Sequence, residues 1–544
     1  MPVTRFGRRR TVVASRYWLW IIPKPDRSFP RRWTDWARVA LVLTLLVAAG
    51  TGLVFRGPIH RFVTCNEGRL PDSDAWQAGD RCVGLSDGPY AFGLDAFAPV
   101  LRVIAEQNRA ATNVCPGTPA TVGVLLTMTD QLAGSRAVHE LEGMAAGQRR
   151  ANGTGCLHPM KLVVGQLGDY GGNGDPIGVA RKLAGRSEVI AVAGIGLSHQ
   201  TTADVAEVLA AAKIPMVADV VTAEGFDQDG SRGDQPVFDG CDKDITYWRG
   251  IARDYYYRVA FRSAVQVQAI GAVVSARPDF IMVPIGGSDP YTCTTLPFLQ
   301  RQYGGNLVEV KFDTTEPSTV PQTAKRLCAT AKDVTVAYIA RGRDLGRLLY
   351  ALDEAYTNGQ CAATSVTVVS TSDGNRVRTV ESESALEDLR TKALGSRSFA
   401  DGRVRMLFTL VAGADGPQPG NPNWTVFENA YREAGFDLAH VGDGWAVNAY
   451  DALTTIDTAL RGGGIASTTP VRRSEVNTAI SGFTSPDSAV PGAGGPIVFD
   501  NSGNRTGPGP RVVRLCPIAT AVDRPPFVPT VEARPGESVP ACPR

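Results

Sequence analysis

Residues 188–222 read EVIAVAGIGLSHQTTADVAEVLAAAKIPMVADVVT. The stretch opens with an apolar strand, Val189 to Ala193, and a loop follows from Gly194 to Thr202. Val205, Val208, Leu209 and Ala212 then recur at i, i+3, i+4 and i+7, the apolar face of a helix. Lys213 closes the helix, and Ile214 to Ala218 forms a second strand. Strand, helix and strand in so few residues make a right-handed crossover between parallel strands. The loop at the carboxyl end of the first strand carries Ser198, Thr201 and Thr202. Hydroxyls beside a helix N-terminus suit a carboxylate or another anion. Helix capping by Ser198 or Thr201 is the plainer use of the same residues.

Length and composition set the frame around this unit. At 544 residues the chain exceeds one ordinary domain and suffices for two or three with real cores. A hydrophobic content of 43% with 20% charged residues is globular rather than disordered. The net charge of +2 hides an asymmetry, because residues 1–38 carry ten Lys/Arg against two acids and the rest carries 46 against 52. An acidic body argues against nucleic acid as a partner.

The basic end has its own reading. Val39 to Phe55, VALVLTLLVAAGTGLVF, is 17 uncharged residues between Arg38 and Arg56. That is the short limit for a membrane-spanning helix. The alternatives are a buried helix and a signal peptide. Thirty-eight residues precede the run, and no small-residue cleavage site follows closely. No cysteine follows closely enough for a lipid anchor. We therefore expect one uncleaved transmembrane signal anchor, with residues 1–38 cytoplasmic and 57–544 outside the cell membrane.

The ten cysteines all lie beyond that segment, and no C-x-x-C occurs. Disulfides in an oxidising compartment fit this usage better than zinc or thioredoxin-type chemistry. Cys115 and Cys156 each lie just before a strand, as do Cys328 and Cys361. If each strand pair is adjacent and parallel, each cysteine pair meets at one sheet edge. Cys65–Cys82, Cys241–Cys293 and Cys516–Cys542 are pairings expected from sequence proximity alone.

From Ala120 onward, strands and helices alternate. TVGVLLTM and MKLVVGQ are strands, Arg136 to Arg150 is a helix, and Asp175-Pro176 caps and starts the next one. A Gly/Asp-rich break covers Ala223 to Tyr255. Strands at Phe280–Ile285, Leu307–Phe312, Val334–Ile339 and Ser365–Ser370 then alternate with helices. Val404 to Val411 is a further strand. Two such series predict an α/β protein of two doubly wound lobes with parallel central sheets joined by a hinge, after one N-terminal transmembrane helix. The expected boundaries are a lead-in at 56–118, a first lobe at 119–256 completed by about 412–470, and a second lobe at 257–411 completed by about 471–506. Residues 507–544 read as an extended Pro-rich tail.

Enzyme signatures are poor. The five histidines form no H-E-x-x-H, and neither Walker A nor G-x-S-x-G occurs. Gly172-x-Gly174-x-x-x-Gly178 misses the dinucleotide spacing by one residue and reads as a turn before a capped helix. No cofactor or metal is expected. Ligands of open α/β sheets bind at the carboxyl ends of strands. Those ends carry Thr222; Ser288, Asp289 and Tyr291; Arg341 and Arg343; and Asp373. Singly, each reads as a cap or turn residue. Repeated after four strands, they supply hydroxyls, a ring, a carboxylate and cations, enough for a small zwitterion.

The stretches VGVLLTMTDQLAG (122–134), EGMAAGQRRAN (142–152), AVAGIGLSHQTTADVAEVLAAAKIPMV (191–217), YYRVAFRSAVQVQAIGAVV (256–274), NAYDALTTIDTAL (448–460) and GPIVFDNSGNR (495–505) together resemble a known family. It is the type I periplasmic-binding-protein family, in the branch of leucine/isoleucine/valine-binding proteins. The resemblance covers roughly residues 119–505 and implies two lobes that close over an amino-acid-like ligand. It also implies that Ser198, Thr201, Thr202 and Thr222 hold the ligand carboxylate, that Tyr291 closes from the second lobe, and that Asp373 takes the amino group. His199, Gln200, Val221, Arg341 and Arg343 depart from the family pattern. Arg341 or Arg343 either neutralises Asp373 or selects an acidic group on the ligand. The expected function is that of a membrane-anchored solute-binding protein, non-enzymatic, serving an ABC permease or a membrane signalling partner. The alternatives are a cell-surface interaction module that has lost its ligand and an extracellular hydrolase, for which the sequence offers no nucleophile–base set.

Overall fold

The computed structural model describes residues 36–37, 39–46, 65, 74–113, 118–153, 158–227, 254–285, 289–304, 307–316, 318–412, 421–462, 470–518 and 527–542. Met1–Arg69 and Leu70–Arg544 are two separate compact units. In the first, residues 39–46 are helical, and 47–55 of the expected anchor lie outside the described residues. Among the described residues no helix is long and apolar enough to cross a membrane.

The second unit holds both lobes. The first lobe is built on strands β1 (Ala75–Ala78), β2 (Arg81–Ser86), β3 (Ala120–Leu126), β4 (Met160–Gln166), β5 (Val189–Ile195), β6 (Met216–Ala218) and β7 (Tyr256–Arg258). Their order in the sheet is β1-β2-β4-β3-β5-β6-β7. β3 to β7 are parallel, while β2 runs antiparallel to β4 and β1 antiparallel to β2. The parallel strands are buried on both faces, so they read as continuous apolar runs. Side-chain alternation divides them between two cores. Val122, Val124 and Leu126 of β3 pack with the helices Arg136–Gly153 and Trp445–Gly462. Leu125 faces the other way, towards the helices Pro176–Ala184 and Gln200–Ala211. As expected, Asp175 caps the first of these, accepting from the Gly178 N–H at 3.0 Å, with Pro176 in the first turn.

The second lobe contains β8 (Phe280–Pro284), β9 (Val308–Phe312), β10 (Asp333–Tyr338), β11 (Ser365–Ser370) and β12 (Val404–Thr409). A small hairpin, β13 (Val498–Phe499) and β14 (Arg505–Thr506), precedes its last two strands, β15 (Val512–Leu515) and β16 (Thr530–Ala533). The order is β16-β15-β12-β11-β10-β8-β9, with β15 and β16 antiparallel.

Three expected boundaries need correction. The lead-in is part of the first lobe: β1 and β2 extend its sheet, and the helix Ala98–Asn113 packs into its core. The tail is not merely extended, because β15 and β16 pair with β12 and complete the second sheet. Residues 471–506 do not finish the second lobe; Val476 and Ile480 of the helix Arg473–Ser481 lie in the first-lobe core. β12 pairs in parallel with β11 and so belongs to the second sheet. These elements are short, and partners far along the chain decide where they go.

The chain crosses between lobes after Arg258, between Thr409 of β12 and Ala412, which packs with Ala146 and Trp424, and after Thr506. Gln266, at the start of the second lobe, ties the sheet ends there. Its Oε1 accepts from the Ser372 N–H at 2.7 Å and the Thr409 hydroxyl at 2.9 Å.

The expected bridges Cys328–Cys361 and Cys516–Cys542 are present, with Cα separations of 4.6 and 5.6 Å. Cys65, Cys82 and Cys293 are also disulfide-bonded. Cys115, Cys156 and Cys241 lie outside the described residues. The Cys328–Cys361 link closes a loop of sequence separation 33 in the second lobe. Replacing both cysteines by serine should lower stability by about 2–4 kcal/mol, read as a lower denaturant midpoint. An unchanged midpoint would show that the loop is held by packing alone.

Candidate ligand-binding site

The strand ends of the two lobes face one another across a cleft. It is lined by Leu132, Arg136, Leu197, Val220, Thr222 and Trp445 of the first lobe and by Arg341, Ser372, Asp373 and Val411. The lobes are closed on each other. Arg341 donates from Nη2 to the Ser198 carbonyl at 2.6 Å, and Arg376 donates from Nη1 to the Leu132 carbonyl at 2.9 Å. Ser135 Oγ donates to the Val380 carbonyl at 3.1 Å, and Thr379 Oγ1 to Asp443 at 3.3 Å. The space left is ≈ 20 Å³ for the centre of a water molecule, room for about one water.

The expected site residues divide into two sets. Thr222 and Asp373 line the cleft. Ser198 does not line it, although its carbonyl accepts from Arg341. Its fully buried Oγ accepts from the N–H groups of Thr222 at 3.1 Å and Ala223 at 3.2 Å, locking the loop after β5 to the loop after β6. Thr202 is equally buried and meets the Tyr170 hydroxyl at 2.7 Å. Neither Ser198 nor Thr201 caps the helix Gln200–Ala211. His199 does, its Nδ1 accepting from the Thr201 N–H at 3.3 Å. The Tyr170 ring stacks on His199 at 4.1 Å. Burial, then the nearby Arg341 charge, pulls the His199 pKa down, which favours the neutral cap. Tyr291 is fully buried, with its hydroxyl on Thr371 Oγ1 and its ring 4.9 Å beneath the Arg341 guanidinium.

Charge gathers on three residues. Asp373 Oδ1 accepts from the Gly342 N–H at 3.2 Å, and its carboxylate lies 3.8 Å from Arg136 and 4.0 Å from Arg341. Arg341 also pairs with Asp289 at 2.7 Å. Burial opposes the Arg341 charge, but Asp289 and Asp373 outweigh it and raise its pKa. Arg136 lies over Trp445 at 4.4 Å. Burial, with Arg376 nearby, brings its pKa down to about 10, so it stays charged at neutral pH. Arg343 pairs instead with Glu383 at 2.9 Å and does not line the cleft. Of the two expected partners for Asp373, Arg341 is therefore the one in place. Ser288 lies outside the described residues.

The sequence alone does not mark Arg136 or Trp445 as site residues. Arg136 starts the helix that follows β3, the same topological position that singled out the other residues. Trp445 starts a helix arriving from 300 residues downstream, and no local signal marks it. Among the described residues, no three His, Cys, Asp or Glu side chains are grouped to hold a metal.

No protein-family model matches the chain, and no curated protein sequence matches it. Solved structures do. The substrate-binding protein LivJ of a branched-chain amino acid transporter from Streptococcus pneumoniae, solved in complex with isoleucine, has 14% identity and a TM-score of 0.52 over 77% of this chain and 100% of its own. The leucine-binding protein LivK from Thermotoga maritima has 17% identity and a TM-score of 0.51, covering 75% and 98%. A transporter solute-binding protein from Rhodopseudomonas palustris, in complex with p-hydroxybenzoic acid, has 16% identity and a TM-score of 0.51, covering 77% and 98%. The chain has the type I periplasmic-binding fold of these substrate-binding proteins.

Proposed function

We propose that the chain is a solute-binding protein whose two lobes close over a small carboxylate-bearing ligand of amino-acid type. The observation that carries this reading is the cleft itself: Arg136, Arg341, Asp373 and Thr222 converge from both lobes beside the Trp445 ring. Two guanidiniums suit a carboxylate and Asp373 suits an ammonium, while the ring offers an apolar seat. The ligands of the similar structures, isoleucine and p-hydroxybenzoic acid, both carry a carboxyl group. The N-terminal apolar run would tether the protein with its lobes outside the membrane, serving an ABC permease or a signalling partner.

Ligand entry requires the lobes to open and Arg341 to leave Ser198, because the closed cleft has no room for an amino acid. Binding that stabilises the closed form raises stability by RT ln(1 + [L]/Kd). Thermal unfolding against amino acids and hydroxybenzoates should therefore return at least one ligand that raises Tm. Asp373→Ala should then weaken an amino-acid ligand by about 1.5–3 kcal/mol, or roughly 10- to 150-fold, in calorimetry. Thr222→Val should cost less. Unchanged affinity in both variants would place the ligand elsewhere.

One observation favours a second reading, an interaction module without a ligand. Arg341 runs from Asp289 and Asp373 to the Ser198 carbonyl and so joins the lobes directly, without a ligand between them. On that reading no compound raises Tm, and Arg341→Ala loosens closure without creating affinity for any of them.

A further inference from the structure

Beneath the first-lobe wall of the cleft lies a group of oxygens without partners. Glu140 is one turn along the helix from Arg136, Asp219 directly follows β6, and Asn448 is in the first turn of the helix Trp445–Gly462. Their exposures are 3%, 0% and 0%. Glu140 Oε1, both carboxylate oxygens of Asp219 and Asn448 Oδ1 accept no hydrogen bond. The backbone N–H groups of Asp219 and Val220 lower the Asp219 pKa, but neither makes a hydrogen bond of normal geometry to it. Asn448 cannot flip to help, because its Nδ2 donates to the Asp219 carbonyl at 2.9 Å and so holds Oδ1 as an acceptor.

Leaving four buried acceptors empty is costly. The two carboxyls can share a proton, and burial followed by mutual repulsion keeps Glu140 protonated well above the ordinary range. One proton bridges only two of the four oxygens. The Asp219 oxygen facing away from that bridge and Asn448 Oδ1 stay empty. Gly194, whose φ is +69°, packs against the group: a Cβ there would lie 3.3 Å from the Leu125 carbonyl oxygen, 3.4 Å from Met144 Cε and 3.5 Å from Asp219 Oδ1. Arg136 and Asp443 are the other charged groups that act on Glu140. Arg136 is already committed to the Leu132 and Ala133 carbonyls, and Asp443 to His139 at 2.6 Å.

We propose that Glu140, Asp219 and Asn448, with the Leu125 carbonyl, form a binding site for a hard, oxygen-seeking cation of the calcium class. The donor set is all oxygen, with two carboxylates, an amide and a carbonyl, the chemistry Ca²⁺ prefers. Both carboxylates are ionised around the ion, so one proton leaves as one Ca²⁺ enters. The site joins β3, β5, β6 and two helices just behind Val220, Arg136 and Trp445, so an ion there braces the first-lobe wall of the cleft.

The test uses the full chain after chelator treatment, titrated with Ca²⁺ at pH 8 by calorimetry and thermal unfolding. The expected result is one ion per chain, a higher Tm, and proton release seen as a dependence of the heat on buffer ionisation enthalpy. The response should weaken as the pH falls through about 6, where protons compete for both carboxyls. Asp219→Asn removes a charge from the interior and Glu140→Gln puts an amide donor where the shared proton was, so both should fold, and each should weaken Ca²⁺ by about tenfold or more, since ligand charge sets affinity. Na⁺ binding in place of Ca²⁺, lost in the same variants, would also support the site. No Ca²⁺ or Na⁺ binding at millimolar concentration would reduce the pair to a shared proton and overturn the proposal. Equal binding by wild type and Asp219→Asn would place the ion elsewhere and overturn it too. None of these readings uses a cleft ligand, so this proposal and the ligand-binding reading fail separately.

Discussion

Replacing Gly143 by alanine is expected to destabilise the protein by about 1–3 kcal/mol, although helix propensity alone would make it stabilising by roughly 1 kcal/mol. Gly143 lies in the middle of the helix Arg136–Gly153. A Cβ there would lie 2.0 Å from the Ala446 carbonyl oxygen and 2.7 Å from its Cα. The obstacle is backbone, which cannot rotate away. The two helices would have to separate along the seam that covers β3 and places Arg136 and Trp445 at the cleft. Gly143→Val should cost still more, at the upper end of overpacking effects or beyond. Gly153, at the end of the same helix, has nothing within 4 Å of a built Cβ and serves as the control. Denaturant unfolding of Gly143→Ala and Gly153→Ala measures the contrast. A Gly143→Ala variant as stable as wild type would mean that the seam yields.

Arg258→Met is expected to cost about 3–5 kcal/mol, the range for removing one partner of a buried ion pair. Arg258 closes β7 where the chain leaves the first lobe, and it is wholly buried. Its Nε donates to Asn504 Oδ1 at 2.7 Å, its Nη1 to the Ala223 carbonyl at 2.6 Å, and its Nη2 to Asp227 at 3.4 Å. Asn504 immediately precedes β14, after which the chain returns to the second lobe, so one guanidinium clamps two of the crossings. Methionine fills much of the volume but leaves Asp227 short of a charge partner and Asn504 and Ala223 short of donors. Arg258→Lys should recover only part of the loss, because one ammonium cannot span the three directions of the fork. Stability from chemical denaturation checks both. Near-wild-type stability in Arg258→Met would show that the crossings are held by the Gln266 contacts alone.

The α/β class, the parallel order of the central strands and most strand positions were legible from residues 188–222 outward, because each rests on local periodicity. An apolar run of strand length followed by a period of 3.6 and a cap can form little else. Asp175-Pro176 started its helix as read, and Cys328–Cys361 and Cys516–Cys542 paired as read. The polar residues at strand ends were also legible, since α/β topology puts such ends at one rim.

Which of those residues reach the cleft was decided by the tertiary structure. Ser198 and Tyr291 stand at the expected rim, yet packing turns their hydroxyls to Thr222, Ala223 and Thr371. Arg136 and Trp445 meet only because two helices some 300 residues apart share the Gly143 seam. The membership of β1, β2, β15 and β16 in the two sheets was decided in the same way. A strand of four to six residues carries too little pattern to name its neighbour, and the sheet each pair joins is set by a strand far along the chain, β4 for β2 and β12 for β15. The unpartnered oxygens of Glu140, Asp219 and Asn448 belong to this second class. No spacing relates them, and only the closed packing of the first lobe makes them costly.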